Sequence, residues 1–354
     1  MYTNTQVLII GGGFGGVAAA QQLEKNGIKT TLVDRKDYFE VTYAVLRDVA
    51  APAKTNGQSR QYYKEVLKGN FIQGGVRELS AKSAHLENGD VVAFDKVIIA
   101  SGSRYPSLPL AKSADAITLR ARTAELETYN ASLQSASEIL VIGGGVVGVE
   151  LVGEIAYAFP KANITLAHNT TTLLDGFKPK AQAKALKQLI DLGVNVEFNT
   201  FYQENNGTYI DKNSGKSITP DTAFVAIGTR PNNEFLQTQL SHTLNDAGLI
   251  NVDEHLSVIG QEHFYAIGDI ADVGEAKLGY LALEQGKYLG KALSKIFKGK
   301  STKPYKRHPF MALVPTGQKT GVVQLPFMVS TWKGLVNMKQ KDLFISKTFT
   351  EFAK

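Results

Sequence analysis

The 354 residues are 43% hydrophobic and 20% charged, with 33 glycines, 11 prolines and no cysteine, which fits an ordinary globular chain of two domains and a small third. The missing cysteines exclude structural disulfides, thiolate metal sites, iron–sulfur ligation and CxxC redox chemistry, and no apolar run approaches the ~18 residues of a membrane-spanning helix. The net charge of +6 is concentrated at the end, because from residue 298 onward eleven Lys or Arg face only Asp342 and Glu351.

The chain opens with an apolar strand over 6–10, a turn of Gly11, Gly12, Gly13, Phe14, Gly15 and Gly16, and an Ala-rich helix over 17–26. A second strand over 28–33 ends in Asp34, 18 residues after Gly16. Glycines in such a turn let a pyrophosphate approach the backbone, and the helix N-terminus offers unpaired N–H groups and partial positive charge. An acid at the end of the second strand accepts hydrogen bonds from a ribose. The short polar start before Val7 leaves no room for a secretion leader, and Tyr2 stands where N-myristoylation needs glycine, so neither is expected.

Alternating apolar and polar residues around Asn88, Gly89 and Asp90 predict a β-meander packed on the first sheet. A strand over 96–100 then ends in Ala100, Ser101 and Gly102, where the chain is expected to cross to its second unit. There the first pattern repeats: a strand over 138–142, a turn with Gly143, Gly144, Gly145 and Gly148, a helix over 149–159 and a strand over 163–167. A meander is expected around Asn205, Asn206 and Gly207, and the strand over 223–227 runs into Gly228 for the crossing back. A late strand reaching Gly268 and Asp269 and a helix over 280–297 follow. The predicted fold is α/β, with two Rossmann-like dinucleotide-binding domains carrying β-meanders and a small C-terminal α+β domain. The expected boundaries are 1–108 with 244–297 for the first, discontinuous domain, 109–243 for the second, and 298–354 for the third.

In the second unit His168 takes the position of Asp34. No carboxylate is there to repel a 2′-phosphate or to bind a free 2′-hydroxyl strongly, so tolerance of both NADH and NADPH is expected. Lys178 and Lys180 either meet that phosphate or are simply solvated. Glu150, two residues after Gly148, either complements the helix dipole, worth about 0.3 to 1 kcal/mol, or reaches over a nicotinamide. Asp269 is either a solvated turn residue or the acceptor for the ribityl hydroxyls of a flavin in the crevice at the strand ends. The tail either displays a solvated basic face or rests on anionic lipid through Phe310, Met311, Phe327, Met328 and Trp332. No nucleic-acid motif accompanies its charge, and nucleic acid is not the expected partner.

The two glycine turns, Asp34, the Ala100-Ser101-Gly102 turn and Gly268-Asp269 together resemble the two-dinucleotide-binding-domain flavoproteins across about 300 residues. More narrowly, Val33-Asp34-Arg35-Lys36-Asp37-Tyr38-Phe39, Ala44-Val45-Leu46-Arg47, the stretch 264–272 and Lys339-Gln340-Lys341-Asp342-Leu343-Phe344 resemble the AIF-like ferroptosis suppressor proteins, which are NAD(P)H:quinone reductases. That resemblance implies FAD contacts at the first glycine turn, Asp34, Arg47, the backbone near Val76, and Asp269, with Arg35 and Lys36 beside them. It further implies Lys339 near the flavin and the quinone, Glu150 at the nicotinamide, hydride transfer from NAD(P)H to flavin N5, and two electrons passed on to a ubiquinone-like or other small quinone. Lys354, at the far end of the same basic tail, is expected to have no such role.

Disulfide reductases of this fold use a cysteine pair shortly after the first acidic residue, and the stretch 39–47 has none, so the reduced flavin must meet its acceptor directly. Other enzymatic readings are a ferredoxin or a monodehydroascorbate reductase. A different class is a redox-sensing flavoprotein that binds nucleic acid or protein. The chain is expected in the cytoplasm, with peripheral association to membranes or lipid droplets and a homodimer left open, and without a metal.

Overall fold

A computed structural model describes residues 1–353, and Lys354 lies outside the described residues. Val7, Leu8, Ile9 and Ile10 are all buried, as are Val97, Ile98 and Ile99. Continuous apolar runs of this kind suit parallel strands covered on both faces. The strand Tyr2–Ile10 pairs parallel with Thr30–Asp34 on one side and Val91–Ile99 on the other, with Ile10 opposite both Val33 and Ile99. Asn70–Gln73 extends the sheet beyond Thr30–Asp34, and Phe264–Ala266 adds parallel to Val91–Ile99. The chain therefore returns to its first sheet after completing the second.

The helix Phe14–Glu24 packs on the late helix Gly279–Ile296. Gly286 permits that approach, since a Cβ there would lie 2.2 Å from the carbonyl oxygen of Gly15. The second sheet is wholly parallel in the order Asn195–Glu197, Asn163–Ala167, Glu138–Ile142, Thr222–Val225. Between the two units the chain crosses twice, and the crossings meet as an antiparallel pair, Ser103–Arg104 with Arg230–Pro231.

The first meander differs from expectation. It is continuous with the main sheet rather than packed upon it, because Val91–Ile99 is long enough to pair antiparallel with Ser83–Leu86 at its start and parallel with Tyr2–Ile10 throughout. The second does stand apart, as the sheet of Tyr202–Asn205, Thr208–Asp211 and Ser217–Ile218.

Packing also crosses the boundaries drawn from connectivity. Val45, Leu46, Val49 and Ala50 of the short helix Val45–Ala50 bury in the core of the second unit. The tail forms a sheet of Ala312–Pro315, Gly321–Gln324 and Val329–Ser330, then the helices Lys333–Gln340 and Ile345–Phe352. It shares its neighbours' cores: Val314 and Val322 join the second cluster, and Leu343, Ile345 and Phe352 the first. No described helix is long and apolar enough to cross a membrane, and no cluster among the described residues is built to hold a metal ion.

Candidate active site

A cleft of about 930 Å³ runs from the first glycine turn to the tail. Gly11, Gly12, Gly13, Phe14, Gly15, Asp34, Arg35, Lys36, Val76, Ala100, Ser101, Gly102 and Asp269 line its first-unit wall. Val146, Val147 and Glu150 enter from the second unit, and Leu313, Val314 and Lys339 from the tail. Gly16 is buried against the sheet instead, and Gly143, Gly145, Gly148, His168 and Gly228 do not line the cleft, although Val146, Val147 and Thr229 beside three of them do.

The two glycine turns share one geometry. Gly11 has φ +101° and a Cβ on it would lie 2.3 Å from the Ala100 oxygen, while a Cβ on Gly16 would lie 1.9 Å from the Gly11 oxygen. At Gly143, with φ +114°, the distance is 2.4 Å to the Ala226 oxygen, and at Gly148 it is 1.8 Å to the Gly143 oxygen. A side chain at Gly11 or Gly143 would push the turn off the neighbouring strand's end, and one at Gly16 or Gly148 would push the helix off the turn. Gly13 and Gly145, which start the helices Phe14–Glu24 and Val146–Ala158, have no atom within 4 Å on their open side, and neither helix has a side-chain cap. The first-turn N–H groups are thus left for a ligand oxygen, so the residues fit a dinucleotide at each turn.

Asp34 locks the first turn. Its Oδ2 accepts from Gly12 N at 2.6 Å and its Oδ1 from Lys36 N at 2.8 Å. His168 does the same for the second, accepting from Gly144 N at its Nδ1 at 3.1 Å. That bond places the ring proton of the neutral imidazole on Nε2, which is buried without a hydrogen-bond partner, 3.5 Å from Asp175 Oδ2.

Asp269 faces the cleft from the short turn Gly268–Ile270 and accepts from Ser103 Oγ and Lys112 Nζ, each at 2.7 Å. Burial would raise this carboxyl, but the Lys112 ammonium and the Ser103 hydroxyl more than offset it and hold the group below its usual value. In the same cleft Lys339 Nζ donates to Glu150 Oε1 at 2.9 Å and to the Leu313 oxygen at 3.0 Å, and stands 5.6 Å from the centre of the Tyr43 ring. Burial pushes the Glu150 carboxyl above its ordinary value even though Lys339 pulls the other way.

Arg47 lies elsewhere than the resemblance implied. It does not line the cleft, because its guanidinium is bound by the second unit and the tail: Nη2 donates to Glu154 Oε1 at 2.7 Å and Nη1 to the Gln340 oxygen at 2.8 Å. Sequence reasoning also passed over Ser103, Lys112, Tyr43, Glu154 and Gln340. Tyr43 falls in the cysteine-free stretch 39–47, where an ordinary tyrosine gives no signal of its own.

Comparison with known proteins agrees with this architecture. The pyridine nucleotide-disulphide oxidoreductase family matches residues 5–286. Ferroptosis suppressor protein 1 of Xenopus tropicalis is 29% identical over 99% of this chain and 96% of its own length. The Homo sapiens protein of the same name is 30% identical over 97% of this chain and 94% of its own. Among solved structures, reduced Bacillus anthracis CoADR-RHD superposes with a TM-score of 0.74 over 90% of this chain and 61% of that one, at 21% identity, which is a likeness of fold. The chain belongs to the pyridine nucleotide-disulphide oxidoreductase family and, within it, to the ferroptosis suppressor proteins; it is an NAD(P)H-dependent flavoprotein oxidoreductase.

Proposed function

We propose that the chain is an NAD(P)H:quinone oxidoreductase that holds FAD in the cleft, accepts both NADH and NADPH, and reduces a ubiquinone-like or other small quinone. The observation that carries this reading is the Lys339–Glu150 pair, set in the cleft wall where the second glycine-turn helix meets the tail. The absence of cysteine leaves no dithiol to relay electrons. A flavin held in the cleft would supply the chemistry that accepts hydride from a nicotinamide and returns electrons to an acceptor.

The chain's own part is positioning and electrostatics. The turn from Gly11 to Gly16 would hold the pyrophosphate, with Asp34, Arg35 and Lys36 at the ribose and adenine side, Val76 and the Ala100-Ser101-Gly102 turn along the wall, and Asp269 at the ribityl hydroxyls. The turn with Gly143, Gly145 and Gly148 would hold NAD(P)H, with Gly228 at its edge and His168 at the ribose, its Nδ1 accepting from Gly144 N. Lys339 offers a cation and proton donor to the acceptor oxygen where negative charge develops. Glu150 keeps that ammonium in place. Steady-state assays with NADH or NADPH and a panel of quinones, ferredoxin, monodehydroascorbate and disulfides test the reading. Turnover confined to quinones is expected, and turnover confined to another acceptor overturns it.

Access to a lipid-borne quinone is supported by the tail surface. Phe327 is 96% exposed, Trp332 67%, Met338 61% and Met328 45%, beside exposed Lys333 and Lys341. Aromatic and thioether side chains among lysines suit an anionic membrane surface.

A further inference from the structure

Arg47, Glu154 and Gln340 are brought together from three parts of the chain and are all buried, yet none of them faces the cleft. The Arg47 guanidinium engages both Glu154 oxygens, with Nε at 3.2 and 3.1 Å and Nη2 at 2.7 Å. Its Nη1 donates to the Gln340 main-chain oxygen at 2.8 Å, and its Nη2 also reaches Gln340 Oε1. Gln340 is the last residue of the helix Lys333–Gln340, so this oxygen has no partner within the helix. Arg47 therefore caps that helix as well as pairing with Glu154. The Gln340 side chain completes the tie by donating to the oxygens of Gly317 and Thr320 at 2.5 and 2.6 Å.

The register of this cluster connects it to the site. Glu150 and Glu154 stand one turn apart on Val146–Ala158, and Lys339 and Gln340 are consecutive. The pair 150 with 339 joins this helix to the tail helix directly, and one turn further on Glu154 holds Arg47 of the helix Val45–Ala50, which bonds to the end of the same tail helix. Gly153, between the two acids, lets the tail turn press against the helix, since a Cβ there would lie 2.5 Å from the carbonyl carbon of Thr316. A lysine side chain has four flexible bonds and little preference for one placement. Glu150 and the Leu313 oxygen hold the ammonium of Lys339, the end of its helix sets where the side chain starts, and Arg47 bonds to that end.

We infer that Arg47 is a positioning residue: through Glu154 and Gln340 it fixes the end of the tail helix so that Lys339 meets Glu150 at the acceptor side of the cleft. The inference rests on the proposed role of Lys339 and goes beyond it. It also gives Arg47 a function other than cofactor contact.

The test is a mutant cycle on the flavin-loaded full chain. Replacing one partner alone leaves a buried unpaired charge, so both are exchanged for apolar residues of similar volume, Arg47→Met with Glu154→Leu, a type of replacement that proteins often tolerate. The change is made in the parent and in Lys339→Met, and flavin content, kcat and KM for a short-chain quinone and the pH profile are measured. Unchanged flavin content and a fall in kcat of about tenfold are expected in the parent, with a further fall of less than about twofold in Lys339→Met. The apparent Glu150 pKa should rise in the paired variant as it does in Lys339→Met.

Multiplying losses would overturn the inference, since they would mean that the cluster acts independently of Lys339. Loss of flavin from the folded variant, or no loss of rate, would overturn it too. If the paired variant does not fold, Arg47→Gln with Glu154→Gln, which keeps neutral hydrogen-bonding groups in place of both charges, enters the same cycle with the same expected outcomes. An unchanged rate in Lys339→Met by itself would overturn the proposed acceptor role, which is a separate failure.

Discussion

Lys339 Nζ and Glu150 Oε1 lie 2.9 Å apart in a buried ion pair, although 189 residues separate them in the chain. The second glycine turn delivers the acid, the tail helix delivers the base, and both line the cleft. Lys339 alters the titration of Glu150.

Burial already raises Glu150, and Lys339 opposes that rise. Lys339→Met removes the largest opposition to burial, so the apparent pKa of Glu150 should climb further. A raised carboxyl means that the folded chain binds more protons than the unfolded one between the ordinary glutamate value and the raised value. Stability therefore falls as pH rises through that window. In Lys339→Met the window should extend to higher pH, as read by urea unfolding across the pH range, and Glu150→Gln should remove this contribution. The same pH dependence in parent and Lys339→Met would contradict the coupling.

Asp269→Ala should give a folded protein that has lost most of its flavin, measured as visible absorbance per chain. The carboxylate is charged, faces the cleft and is worth about 1.5 to 3 kcal/mol for each hydrogen bond it accepts. Ser103 and Lys112 already bond to it, so Lys112→Met should weaken flavin retention less than Asp269→Ala does. Full occupancy in Asp269→Ala would place the ribityl chain elsewhere.

NADH and NADPH should reduce the bound flavin with kcat/KM values within about tenfold of each other, a difference of about 1.4 kcal/mol. His168→Asp should shift the preference to NADH, because a carboxylate at that position repels a 2′-phosphate. If the ratio stays the same, His168 does not face the ribose.

Vesicles containing phosphatidylserine should retain the protein at low salt and release it at high salt, and Phe327→Ser with Trp332→Ser should reduce retention severalfold. Turnover of a water-soluble quinone should be unaffected. Retention that survives both substitutions would assign the lipid contact to another surface.

Much of the fold was legible because it depends on local pattern. Gly11 and Gly143, each in a strand, turn and helix sequence, announce the two nucleotide folds, and the spacing to Asp34 and His168 locates the ends of the next strands. Contacts between distant segments were not legible. Arg47 reads as a cleft residue until its partners at positions 154 and 340 are seen, and Lys112 gives no hint that it will meet Asp269. The first meander was misplaced because the alternation around residues 83–94 does not reveal that one long strand, Val91–Ile99, serves two pairings. The tail reads as a small α+β unit, while the sharing of both neighbouring cores depends on packing that no periodicity encodes.

The most direct test of the central claim is the rate of quinone reduction by Lys339→Met, measured by stopped flow on enzyme already reduced with NADH. The expected result is a wild-type flavin content, reduction by NADH within about twofold of the parent, and acceptor reduction at least about tenfold slower, roughly 1.4 kcal/mol of transition-state stabilisation. Lys300→Ala, which alters an exposed lysine of the same basic tail, should match the parent in every step. Equal and small effects from Lys339→Met and Lys300→Ala would contradict the account and make Lys339 a structural cation with no part in acceptor reduction.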